Sequence, residues 1–101
     1  MRRVVILAEA AEDLEQGRDF YDEQEPGIGD YFADSLVADI KSLVLYHGIH
    51  LRQFGFHRML AHRFPFGIYY RETITETQVF AVLDLRRDPN WIRKELTDRN
   101  R

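Results

Sequence analysis

His62-Arg63-Phe64-Pro65-Phe66-Gly67-Ile68-Tyr69-Tyr70-Arg71 and Val79-Phe80-Ala81-Val82-Leu83-Asp84-Leu85-Arg86-Arg87-Asp88-Pro89 read as two adjacent strands that deliver the chain to a helix start. Residues 68–72 and 78–85 carry the β-branched and aromatic side chains that fit a pleated, half-buried surface. Pro65 has no N–H for a central ladder, so residues 64–67 are expected to break the sheet before the first of these strands. Residues 73–76 lie near the turn between them. Strict alternation puts Val79, Ala81, Leu83 and Leu85 on one face, and Phe80, Val82, Asp84 and Arg86 on the other. Asp88 is a good N-cap and Pro89 a good first helical residue. A helix over 89–96 follows, offering Trp91, Ile92 and Leu96 for packing, with a fraying tail over 97–101.

Working outward, residues 56–61 form another strand and residues 3–7 a short apolar one. Residues 8–23 follow a helical period, with Ala11, Leu14, Gly17 or Arg18, and Tyr21 on one face. Glu25-Pro26-Gly27-Ile28-Gly29 stops that helix. A second runs over 30–47 with the stripe Phe32, Leu36, Ile40, Leu43 and Val44, and Gly48 terminates it. The order is β-α-α-β-β-β-α. It predicts an α+β fold, a small antiparallel sheet packed on a helical hairpin. A length of 101 residues makes this one domain over 1–101, with no room for a separate cofactor domain.

Hydrophobic content of 45% with both charge signs present is globular rather than disordered composition. The absence of cysteine excludes a disulfide framework, a thiolate metal site and a thiol nucleophile, and fits a reducing cytoplasm. Only five apolar residues, Val4 to Ala8, follow the first arginines, too few for a signal-peptide core or a bilayer span. A soluble cytoplasmic protein without membrane contact is expected. The net charge of −3 hides an asymmetry. Residues 1–50 hold four cations against eleven anions, and residues 51–101 hold ten against six. Acidic helix surfaces and a sheet flanked by arginines account for this, and a basic working face opposite an acidic one is the sharper reading.

Arg63, Arg71, Arg86 and Arg87 are the candidate binding residues, since a guanidinium fork suits phosphate or carboxylate. Alternation would send Arg86 and Arg87 to opposite faces, and surface pairing with Asp84, Asp88 or Glu72 is the competing role. His47, His50, His57 and His62 show no consistent metal motif. His47 suits a helix end, and His57 and His62 read as solvated strand residues on opposite faces. Glu9, Glu12, Asp13 and Glu15 read mostly as a solvated first-turn face. Phe64, Phe66, Tyr69 and Tyr70 interleave with arginines as a nucleic-acid surface does, and equally as the core of a small sheet does. There is no Gly-rich phosphate loop, nucleophile elbow or Ser/His/Asp pattern, and no cofactor is expected.

Together, Arg63 to Arg71, Val79 to Leu83 and Arg86-Arg87-Asp88-Pro89 resemble the RelE/ParE superfamily of toxins from type II toxin–antitoxin systems, also described as plasmid-stabilisation proteins. The likeness is close in the second half and lies in layout in the first. It implies a toxin neutralised by a cognate antitoxin, as a homodimer or a toxin–antitoxin hetero-oligomer. RelE-like members cleave ribosome-bound mRNA, the 2′-hydroxyl attacking the adjacent phosphate, which needs cations, a base and an acid. By similarity Arg87 and Arg86 would be catalytic in that branch. Its further arginine falls near Gly67, and its C-terminal Tyr or His falls near Trp91, which exchanges no proton in this way. ParE-like members instead bind and poison DNA gyrase. The missing proton donors favour that branch, with Arg63, Arg71, Arg86, Arg87 and Trp91 as target-binding residues. The sequence pI of about 5.8 and the absence of a histidine at Asp84-Leu85 also weigh against a nuclease. A non-toxic module that keeps the fold and binds an antitoxin-like partner is the third reading.

Overall fold

A computed structural model describes residues 2–100, so Arg101, part of the expected fraying tail, lies outside the described residues. The elements are β1 (Arg3–Ile6), α1 (Ala8–Gln24), α2 (Ile28–Lys41), α3 (Leu43–Tyr46), β2 (Arg52–Gln53), β3 (Phe56–Leu60), β4 (Phe66–Glu72), β5 (Glu76–Asp84) and α4 (Pro89–Arg99). The expected α+β order is present, with two short additions, α3 and β2.

The helical hairpin is made by close backbone approach. A side chain at Gly17 would meet the Phe32 ring at 2.5 Å, and one at Gly29 would run into the Arg18 carbonyl oxygen. Between the helices Gly27 takes a positive φ of 95°. The Asp22 carboxylate accepts the Gly27 N–H at 2.9 Å and the Gly29 N–H at 3.2 Å, stapling the turn. The buried side of α1 holds Ala10, Asp13, Leu14 and Gly17. Leu14, Gly17 and Tyr21 lie on the packed face as expected, but Ala11 is exposed and Ala10 takes its place. The single helix expected over 30–47 is interrupted at Ser42. Its hydroxyl donates to the Asp39 carbonyl at 2.6 Å, a local competitor for the helix ladder.

The sheet order is β1-β5-β4-β3-β2. It is mixed rather than antiparallel throughout, because β1 runs parallel to β5, Arg3 opposite Glu76 and Ile6 opposite Val79. A chain that enters the sheet, makes a helical hairpin and returns through three antiparallel turns closes with its first strand parallel to the last. Pro65 does stand outside the ladder, but β4 already begins at Phe66, opposite Asp84.

The expected alternation along β5 is also corrected. The register with β4 shifts between Tyr69 and Tyr70: Tyr69 faces Ala81, while Tyr70 faces Val79. The unmatched Phe80 makes a β-bulge, which reverses the side-chain phase. Val79 and Val82 therefore pack on the hairpin side with Phe32, Leu36, Ile40, Ile68 and Tyr70. Phe80, Ala81, Leu83 and Leu85 pack on the α4 side with Phe56, Tyr69, Ile92 and Leu96. The sheet is a middle layer with a core on each face. α4 starts as expected, with Asp88 accepting the Asn90 N–H at 2.8 Å and Pro89 in the first turn. It runs on to Arg99, however, and that residue is buried rather than frayed.

Candidate functional site

The outer edge of β5 builds the site. β1 covers this edge only as far as Val79, whose carbonyl accepts the Leu7 N–H at 3.0 Å. Beyond that point α1 and α4 meet across the edge through two side chains. Asp13 accepts the Val82 N–H at 2.9 Å, and Arg99 donates to the Phe80 carbonyl at 3.2 Å. The two bind each other bidentately, at 2.5 and 2.9 Å. Both side chains are more than nine-tenths buried. An ion pair here satisfies the backbone groups that another strand would satisfy elsewhere. Asp13 is thus not part of a solvated first-turn face.

Past this pair the edge opens into a groove of about 270 Å³ lined by Asp13, Gln16, Phe20, Asp84, Arg87 and Trp91, among others. Arg87 lies flat on the Trp91 indole, its guanidinium carbon 3.8 Å from the ring centroid. Among the described residues its side chain has no carboxylate partner, so the charge stays available to a ligand. Phe20 adds exposed apolar surface on the α1 side.

Arg86 is engaged differently. It binds Asp84 through Nε at 3.0 Å and through a terminal nitrogen at 2.8 Å, and Asp84 also accepts the Arg86 backbone N–H at 2.9 Å. The Arg86 hydrogen bond holds the Asp84 carboxyl below its ordinary value. A second Arg86 contact reaches the Tyr21 hydroxyl at 3.3 Å. Residues 85–87 form a turn, so it is turn geometry rather than strand alternation that sends the two arginines to different neighbours.

Arg63 is exposed in the loop before β4, at the same end of the sheet. Arg71 is not brought there. It lies opposite Gln78, about 17 Å along the strand from Phe66. There it packs 4.3 Å from the Phe56 centroid and donates to Gly55 and Asn100. Of the five expected binding residues, Arg87 and Trp91 line the groove, Arg86 stands beside it on Asp84, Arg63 lies at the same end of the sheet, and Arg71 ties β4 to the β2–β3 turn and to Asn100.

Proton-transfer groups are sparse in the groove. Asp13 is held by Arg99, Asp84 is kept ionised by Arg86, and Gln16 does not titrate. Gly67 is closely packed: a Cβ there would lie 3.0 Å from Leu85 and from the Tyr69 ring, so a longer side chain would have to push both aside. The Tyr21 hydroxyl is the one O–H beside the arginine pair that the sequence did not place there; its only early signal was its position on the α1 stripe. The histidines lie elsewhere: His62 pairs with Asp39 at 2.7 Å, and the other three gather near the far end of β4. Among the described residues no group of three or more His, Asp or Glu is placed to hold a metal ion, and no helix is long and apolar enough to cross a membrane.

The architecture is that of a ParE-like fold, as the sequence led one to expect. A solved structure titled "Chromosomal ParDE TA system from P. aeruginosa" contains a chain similar to this one, with a TM-score of 0.72 at 23% identity, covering 81% of this chain and 94% of that one. At that identity the likeness shows the shared fold. No protein-family model and no curated protein matches the sequence.

Proposed function

We propose that this chain is the toxin of a type II toxin–antitoxin pair and acts as a ParE-like growth inhibitor in the cytoplasm, by binding DNA gyrase. A cognate antitoxin neutralises it in a hetero-oligomer. The observation that carries the reading is the groove rim: a solvent-facing cation on an indole, apolar surface beside it, and carboxylates already held by arginines. Such a rim recognises a partner and has little to move protons with. The fold shared with a chain of a ParDE system supports the toxin–antitoxin assignment.

The test is induction of the chain alone in a bacterial host, with and without the protein of the neighbouring reading frame. Growth arrest relieved by the neighbour, and supercoiling by purified gyrase inhibited by the purified chain, is the expected result. Unimpaired growth at high soluble expression would leave only the non-toxic binding module.

One observation favours a second reading, a RelE-like ribosome-dependent mRNA endoribonuclease. The Tyr21 hydroxyl accepts from Arg86 and keeps its own proton to donate. On that reading ribosome-bound mRNA is cut, and Tyr21→Phe abolishes cutting in a folded protein. Intact mRNA beside inhibited gyrase rejects it.

A further inference from the structure

The far end of β4 holds a second polar constellation that the groove does not use. The segment over 47–50 leads from α3 to the edge strand β2 and carries the exposed apolar side chain Ile49. Its attachment to the sheet is largely polar and centres on Tyr70. That residue is fully buried, and its hydroxyl lies 2.9 Å from the Gly48 N–H and 2.6 Å from His50 Nδ1. The Gly48 amide only donates, so the phenol oxygen accepts there. Its proton is then directed at His50 Nδ1, which accepts only when that imidazole is neutral and protonated at Nε2. His57 stacks on the Tyr70 ring with a 5.0 Å centroid separation. Its Nδ1 donates to the His50 carbonyl at 2.8 Å, a bond that survives protonation of His57.

We propose that Tyr70, His50 and Gly48 form a proton-sensitive clasp that holds segment 47–50 on the sheet when His50 is neutral and loosens it when His50 binds a proton. A proton on Nδ1 sets an N–H donor against the phenol O–H. The phenol oxygen then has to accept twice, and its own hydrogen loses the acceptor that His50 supplied.

The surroundings do not favour a cation at His50. His57 faces it from β3, while Arg58 lies on the opposite face with Gln53 and Tyr69, and Arg52 lies two residues along in β2. His62 lines the same depression beyond β3. The two anions on this side each hold another histidine, Glu72 with His47 at 2.6 Å and Asp39 with His62 at 2.7 Å. Burial first, and His57 second, push His50 below the ordinary imidazole value of 6.5. The closed form therefore binds the proton less well than the open form. The clasp is at full strength above the free-imidazole range and weakens as pH falls below it.

Amide hydrogen exchange on the full chain tests this, with protection factors corrected for intrinsic rates at about pH 7.5 and about pH 5. The Gly48 amide, which donates to Tyr70, is expected to lose about tenfold in protection on acidification, while those of Ile68 and Val82 stay unchanged. His50→Gln keeps an acceptor for Tyr70 that does not titrate, and its Gly48 amide is expected to stay protected at both pH values. Tyr70→Phe removes both bonds and is expected to expose that amide at both, with the two core amides as the control for folding. Equal protection of the wild-type Gly48 amide at both pH values overturns the proposal, and so does the same acid-induced loss in His50→Gln.

Discussion

β5 has one outer edge closed in two ways. Up to Val79 the cover is β1, a backbone ladder that any strand-forming sequence provides. From Phe80 onward it is the Asp13–Arg99 pair, two specific side chains from opposite layers. The ladder seals its half flush. The ion pair seals only two backbone groups and leaves room beside it, and that room is the groove under Arg87 and Trp91. A sheet edge that is capped rather than extended makes space for a binding surface without exposing an unpaired strand.

The sharpest way to break the contrast is Asp13→Ala. It removes the bidentate partner of buried Arg99, which keeps Glu9 and Glu95 at 3.8 Å, and leaves the Val82 N–H without an acceptor; it should cost up to about 3–5 kcal/mol, read from the denaturant midpoint. Replacing both Asp13 and Arg99 by leucine should recover only part of that loss, since the β5 groups stay unsatisfied. Full recovery would mean that the pair does not cap the edge. On the ladder side, Ile6→Ala trims a half-buried side chain packed on the hairpin core. It should cost about 1–2 kcal/mol, below the range for fully buried sites, without altering the groove or growth arrest.

At the rim, Arg87→Ala should lower stability by only about 0.5–1 kcal/mol, the range for an exposed cation on an aromatic ring. At equal soluble level it should relieve growth arrest. Retained arrest would move the working surface away from the groove. The smallest effect belongs to Arg86→Ala. More than half of the Arg86 side chain is exposed, so after solvent screening its pair with Asp84 is worth less than about 1 kcal/mol. Because the folded carboxyl is depressed, that contribution is present above its ordinary value near 3.8 and is lost as pH falls through the folded value. Wild type should lose this small increment between about pH 4 and lower pH, and Arg86→Ala should not.

Much of this was legible in the chain. Periodicity marked both long helices, Pro89 after Asp88 marked the last one, and the arginine cluster was visible at a strand end. Two things were hidden for definite reasons. The bulge at Phe80 adds one residue among equally apolar neighbours, so nothing in the pattern Val79 to Leu83 shows where the phase turns over. Asp13 and Arg99 lie 86 positions apart. Each looks locally like a solvated charge, one in an acidic helical turn and one near a chain end. Only the topology, which brings α1 and α4 to the same edge, makes them partners. His50 and His57 were not read as neighbours for the same reason, and Tyr70 brings them together from two separate segments.

The closure of β5 also has a bearing on how the protein comes into being. β1 must wait for β5, and Asp13 must wait for Arg99, so the amino-terminal hairpin leaves a ribosome with neither its sheet nor its ion-pair partner. The groove floor is finished only once the last turn of α4 has cleared the exit tunnel. Until then Arg87 and Trp91 have no fixed place beside α1, and the groove between them does not exist.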